Sequence, residues 1–209
     1  MMKKISILIA TMVLPLYIWA QHAKGLVFDD NAYRNIPHVK LLSKGSYKLP
    51  SKVSLKDYCP TPQHQGQMGT CAGWATAYSA RTISYAVANG IKGRKVDKYA
   101  FSPNYVYSQI KKTDDIDCKK GACLTDAFEI MKKSGVAQMS DLPYNCTSPI
   151  GDTLKQIAEA YKIQGYHTLF ELKSQDSIKS IVIKRALADK HPVVIAFNTP
   201  PSFDKASEL

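Results

Sequence analysis

The sequence has no block of five or six consecutive basic residues and no basic stripe interleaved with aromatics. The usual marks of a nucleic-acid-binding chain are therefore missing. This holds despite a formal charge of +11, from 28 Lys and Arg against 17 Asp and Glu. The positive residues are scattered and read as a basic solvated surface, only weakly suited to acidic partners. Internal repeats and low-complexity tracts are missing too, which removes solenoid and fibrous architectures. Cysteines with metal-ligand spacing are also lacking. Cys118 and Cys123 have neither a second close cysteine pair nor a nearby histidine pair, so neither a metal nor another cofactor is expected. Long apolar runs are confined to the N-terminus. There residues 5–18 are almost uncharged, but Gln21-His22-Ala23-Lys24 cuts the run short of the roughly 20 residues that span a bilayer.

That N-terminus has its own pattern. Met1-Met2-Lys3-Lys4 is a short basic lead, an apolar stretch follows, and Trp19-Ala20 ends on a small residue. This is the layout of a secretory signal peptide removed after Ala20, which implies a secreted or periplasmic protein with no stable membrane insertion. No cysteine stands at the cleavage point, which argues against a lipid-anchored form. The chain has five cysteines, Cys59, Cys71, Cys118, Cys123 and Cys146. In an oxidising compartment the odd number suggests four structural cysteines and one reactive one, and four cysteines leave three pairings open. Asn145-Cys146-Thr147 matches a glycosylation acceptor, a short pattern common by chance.

The remaining 189 residues, 209 less the 20 of the signal, suit one domain or two small ones sharing a cleft. Residues 21–50 show no sustained periodicity and read as a leader or short pro-segment. From 51 to 68 the chain is rich in Pro, Gln and Gly, hence loop. Thr70 offers an N-cap, and 71–89 is an alanine-rich helix closed by Asn89-Gly90. Small residues on nearly every face imply a helix buried on most sides. Further helices are expected over 103–111, 124–134 and 177–189. Strands are expected over 161–172 and 192–197. The expected fold class is α+β: a helical domain over 51–155, then the start of a β-rich domain over 156–209.

The chemistry concentrates in Gln65-Gly66-Gln67-Met68-Gly69-Thr70-Cys71. A cysteine in the first turn of a helix meets unpaired N–H groups and the positive end of the macrodipole, which favour a thiolate. Glycines at 66 and 69 let the backbone turn tightly and approach a substrate closely. The Gln65 amide, with the Cys71 N–H, could hold an oxyanion. Trp74 reads as core packing.

These residues resemble the papain family of cysteine peptidases, in which Gln-Gly lies six residues before the nucleophilic cysteine of a central helix. The resemblance runs from about residue 50 to 203. It includes Phe101-Ser102-Pro103-Asn104-Tyr105-Val106-Tyr107, the Cys- and Gly-rich loop 118–127, Gly135-Val136, Leu142-Pro143-Tyr144, and Ala186-Leu187-Ala188 with Pro192-Val193-Val194. It implies a papain-like fold with a helical domain and an incomplete β-barrel domain. It also implies catalytic Cys71 and Gln65, and a substrate wall at Gly69, Gly121 and Ala122. The implied partner is a peptide or protein substrate, cleaved through an acyl-thioester. Ala72 stands where the family has a bulky aromatic, Ala122 where a second glycine is common, and Met68 where a cysteine is frequent. The last change removes a family disulfide, and Cys59 is the replacement partner expected.

The resemblance also implies a histidine and an asparagine about 130–150 residues after the cysteine, at roughly 201–221. Residues 192–209 contain no histidine, and His22, His38, His64, His167 and His191 do not match the family motif. The expected deficit is large. A free cysteine has a pKa of about 8.5 and a His-paired one about 3–4, a difference worth roughly 7 kcal/mol. A helix terminus supplies about 0.3–2 kcal/mol. The expectation is thus a truncated peptidase, inactive as these 209 residues. The alternatives are a catalytically inactive peptide-binding protein with the same groove and, more remotely, another Cys-His acyl enzyme.

Overall fold

Residues 71–89 form one unbroken helix, and the rest of the molecule is arranged around it. In the computed structural model, which describes residues 24–39, 48–146 and 149–200, this helix (α2) is α-helical at Cys71–Gly73, π-helical at Trp74–Arg81 and α-helical again at Thr82–Asn89. Hydroxyls accompany the wide stretch. Thr76 donates to the Ala72 carbonyl at 2.7 Å and Thr82 to the Ala77 carbonyl at 3.4 Å. Such back-bonding competes with the regular ladder, and π segments concentrate at functional sites. Gly90 ends the helix in the left-handed region (φ 65°), as the Asn-Gly pair predicts.

Besides two 3-10 helices, Lys56–Tyr58 and Gly93–Tyr99, the other elements are the strand β1 (Leu26–Val27), α1 (Asp30–Asn35), α3 (Pro103–Ile110), β2 (Ala122–Cys123), α4 (Leu124–Ser134), α5 (Asp152–Glu159) and α6 (Asp176–Ala188). Ser102 caps α3 by accepting from the Tyr105 N–H, with Pro103 in its first turn. The three helices expected after α2 are present within a residue of their expected limits. The main core lies between α2, α3 and α4. Ala77, Phe101, Tyr105, Val106, Ala127 and Met131 meet there, with Tyr161 and Leu154 packed at the edge. Each large apolar side chain buried in this way contributes about 1.5–3 kcal/mol. Alanines at 72 and 77 are fully buried, which is what lets neighbouring helices press against α2.

The β-rich second part expected from the sequence is a correction. The described residues are mostly helical, and their one sheet is β1 paired in parallel with β2. Residues 161–172 form no strand. Their alternation needs a neighbouring strand to become a ladder, and what lies alongside is a single bridge, with Thr168 N–H donating to Pro37 O and Val39 N–H to Thr168 O, both at 3.1 Å. Residues 192–197 also form no strand, and Ile195 is left 63% exposed. Two helices escaped the sequence pattern, α1 and α5. Both are short, and among their residues only Ala158 is fully buried. The proposed signal peptide (1–20), residues 40–47, Thr147 of the glycosylation pattern and residues 201–209 lie outside the described residues. No helix among the described residues is long and apolar enough to cross a membrane.

None of the three two-bond pairings of four cysteines forms, and a single disulfide takes their place. Cys118 and Cys146 are bonded, with Cα atoms 5.8 Å apart. Cys59 is exposed and unbonded, and Cys123 half-buried and unbonded, so neither serves the structural role expected of it. The bridge closes a loop across 28 residues. Chain entropy then gives it about 3–4 kcal/mol. Replacing Cys146 by serine should lower the urea-unfolding free energy by roughly that amount. A loss under 1 kcal/mol would show that the loop is held without it.

Candidate active site

The sequence segment singled out for chemistry folds as a tight loop running into the start of α2. Gly66 takes φ 69°, a conformation that suits glycine. Gln65 is half-buried, and its Nε2 donates to the Met68 carbonyl at 2.9 Å. Gly69 is buried, and its N–H donates to the Cys118 carbonyl at 2.7 Å, tying this loop to the disulfide-bonded one. Thr70 occupies the cap position, but its hydroxyl does not cap the helix. It meets the Tyr144 hydroxyl at 2.5 Å, and that hydroxyl donates to the Gln65 carbonyl at 2.8 Å. Tyr144 therefore bridges the two ends of the loop. Its ring stands edge-on to Trp74, 4.8 Å between centroids. The core role expected of Trp74 thus extends to bracing the loop.

Cys71 begins α2 and is half-buried. Its thiol is pushed up from its ordinary pKa. Burial is the main cause, and it outweighs the favourable N–H groups of Gly25, Ala72 and Cys71 itself. The N–H groups of the helix start favour the thiolate, but too weakly to offset burial, as the sequence leads one to expect where no histidine pairs with the thiol. A helix terminus is worth about 0.3–2 kcal/mol, while desolvation can move a buried group by several pKa units. The consequence is measurable. Alkylation of Cys71 should rise about tenfold per pH unit between roughly pH 6 and 8, with no plateau below about pH 8. A plateau below pH 7 in rate against pH would overturn this assignment.

The position of Gly25 was not legible in the sequence. The N-terminal segment crosses the cleft, and Gly25 is buried between Gly69 and Gly121. A Cβ placed on Gly25 would lie 1.8 Å from the Gly69 carbonyl oxygen, and one on Gly121 would lie 2.3 Å from the Gly25 carbonyl oxygen. The Gly25 N–H reaches the Cys71 sulfur, and the Gly25 carbonyl accepts from the Ala122 N–H at 2.9 Å. Leu26 and Val27 then pair with Ala122 and Cys123. The wall residues Gly69, Gly121 and Ala122 are thus brought together with Cys71 around an extended chain. A stretch of glycine, leucine and valine carries no signal that could have announced this.

Four of the five histidines fall within the described residues, and none of these four completes the site. His64 is exposed, and its Nδ1 accepts from the Gly66 N–H at 2.8 Å, a contact within the turn. His38 bonds Thr168. The shift of Cys71 has no histidine among its causes. No group of three or more His, Cys, Asp and Glu is placed to hold a metal among the described residues.

A glycine-lined groove, a cysteine at the head of a buried helix and a loop glutamine before it match one family model, described as papain family cysteine protease, over residues 49–207. The chain belongs to the papain family of cysteine proteases. Solved structures with this fold include xylellain, a cysteine protease from Xylella fastidiosa, at 21% identity and TM-score 0.60, covering 81% of this chain and 64% of that one. Digestive procathepsin L 3 from the larval midgut of Tenebrio molitor aligns at 17% identity and TM-score 0.55, over 80% of this chain and 47% of that one. Procathepsin L2 from the same tissue gives 18% identity and TM-score 0.52, over 75% and 49%. This papain-family chain spans about half to two thirds of the length of those structures. No curated protein matches it.

Proposed function

We propose that this chain is the nucleophile-bearing part of an exported endopeptidase that hydrolyses peptide bonds through an acyl-thioester on Cys71. The observation that carries the reading is the extended backbone of residues 25–27 seated in the groove over Cys71, paired with Ala122 and Cys123. A groove that pairs with main chain beside a helix-head thiol is suited to peptide substrates. In the reaction Cys71 Sγ bonds to the scissile carbonyl carbon, the C–N bond breaks, and the amine leaves with a proton. Water then cleaves the thioester and restores the thiol. Gln65 Nε2 and the Cys71 N–H are the donors assigned to the oxyanion. The proton shuttle in this reading is a histidine, as in the family, and no histidine among the described residues contributes to the shift of the Cys71 thiol.

Residues 24–39 act in this reading as a pro-segment. They are held in the groove at 25–27 and anchored outside it, where the Tyr33 hydroxyl donates to the Phe170 carbonyl at 2.6 Å. Export fits the Cys118–Cys146 disulfide, since such bonds persist in oxidising compartments. The test is to treat a Gly25→Val variant, in which residues 25–27 cannot lie over Cys71, with an epoxysuccinyl peptide and map the adduct by mass spectrometry. One adduct, on Cys71 and not on exposed Cys59, supports a peptidase site. Labelling of Cys59 with none on Cys71 would leave a peptide-binding groove without nucleophilic function.

A further inference from the structure

Between α3 and β2 the chain runs without regular structure, yet it contains a fully buried carboxylate, Asp115. Its Oδ1 accepts from the Lys119 N–H at 2.8 Å and the Lys120 N–H at 3.1 Å, and its Oδ2 accepts from the Tyr107 hydroxyl at 2.6 Å. Its backbone carbonyl accepts from Lys111 Nζ at 2.7 Å. Burial pushes this carboxyl up, but the Tyr107 hydroxyl and the two amides outweigh it and hold it below the usual carboxylate range. Asp115 is therefore an ionised acceptor with no proton to give.

That fixes the direction of the next bond. Tyr107 must donate to Asp115, so its oxygen turns lone pairs elsewhere, and one of them accepts the Gly121 N–H at 3.0 Å. Tyr107 lies on α3 and is fully buried, in a cluster with Ala72, Cys118 and Ala122. The relay therefore runs from a rigid helix, through one hydroxyl, to the residue before the groove edge. Gly121 sits at φ 80° and places the Ala122 N–H on the Gly25 carbonyl. A buried charge bonded in this way holds a loop because losing any partner leaves it unsatisfied.

We infer that Tyr107 and Asp115 are positioning residues for the groove, setting the place and orientation of the 121–123 edge along which an extended peptide lies. The inference rests on the reading of that groove as a peptide site. The segment at 25–27 serves as the resident peptide, so the intact chain reports on it directly. Tyr107→Phe keeps the ring and removes only the hydroxyl, and Asp115→Asn removes the charge that orients it.

Amide exchange followed by NMR provides the test. In Tyr107→Phe the Ala122 amide should exchange about tenfold faster relative to the Gly135 amide, which donates to Met131 at the far end of α4. Iodoacetamide should modify Cys71 faster by a similar factor relative to Cys59, as the segment leaves the groove more often. If Asp115→Asn fails to fold, Tyr107→Phe still decides. Ratios within twofold of wild type, or a rise shared by all amides, would overturn the inference and reduce the pair to general fold support. Failure of the epoxysuccinyl peptide to modify Cys71 in the Gly25→Val variant would sink the peptidase reading while leaving the exchange result standing.

Discussion

In a Gly25→Val variant, Cys71 should be alkylated by iodoacetamide about a hundredfold faster than in the wild-type chain, while Cys59 keeps its rate. A Cβ at position 25 would meet the Gly69 carbonyl oxygen at 1.8 Å, its carbon at 2.1 Å and its Cα at 2.4 Å. All three are backbone atoms in a loop tied down by the Gly69 to Cys118 hydrogen bond, so the overlap cannot be relieved by a side-chain rotation. The segment must leave. What it gives up is the Ala122 to Gly25 hydrogen bond, the Leu26–Val27 pairing and the partial burial of Leu26. Two hydrogen bonds at about 1 kcal/mol each and roughly 1 kcal/mol of apolar contact give about 3 kcal/mol, or somewhat over two powers of ten. The rest of the segment stays attached through Tyr33 and the His38 to Thr168 contact, so the fold itself should hold. An unchanged alkylation rate would mean that residues 25–27 do not guard the cysteine.

The same region shows where the sequence was informative and where it was silent. The Gln65 to Cys71 stretch was legible because each of its features is local. Glycine at 66 answers to its own φ, and a helix that starts at Cys71 answers to the run of alanines behind it. Gly90 and the limits of α4 were readable for the same reason. By contrast, Gly25 becomes meaningful only through carbonyls at 69 and through Gly121, contacts that no window along the chain contains. The Thr70 hydroxyl was expected to cap α2, but a tyrosine 74 residues away takes it. The strand expected at 161–172 failed on the same ground, since alternation is local but a ladder requires a neighbour. The helix position of Cys71 was readable as well, but the burial that raises its thiol was not, because it comes from packing that no local window contains.

On the proposed peptidase reading, Gln65→Ala should reduce the rate of acyl transfer from a peptide substrate by about 10²–10³, the loss that follows removal of one oxyanion donor, or roughly 2.7–4 kcal/mol. The effect should fall on kcat, with KM nearly unchanged, because the amide is needed where charge develops and not where the peptide is held. The structure makes this a clean substitution. Tyr144 grips the backbone carbonyl of residue 65, which alanine retains, and the Thr70 contact does not involve the Gln65 side chain. The donation of Nε2 to Met68 O is lost, at a cost of about 1 kcal/mol. That is too little to account for a hundredfold loss through unfolding in a domain of ordinary stability. A Gln65→Ala enzyme within fivefold of wild type would show that the oxyanion is held by other donors. A proportional rise in KM would assign Gln65 to peptide binding. Tyr144→Phe separates the two contributions, since it loosens the loop but keeps the amide. Its rate should therefore fall by far less than that of Gln65→Ala.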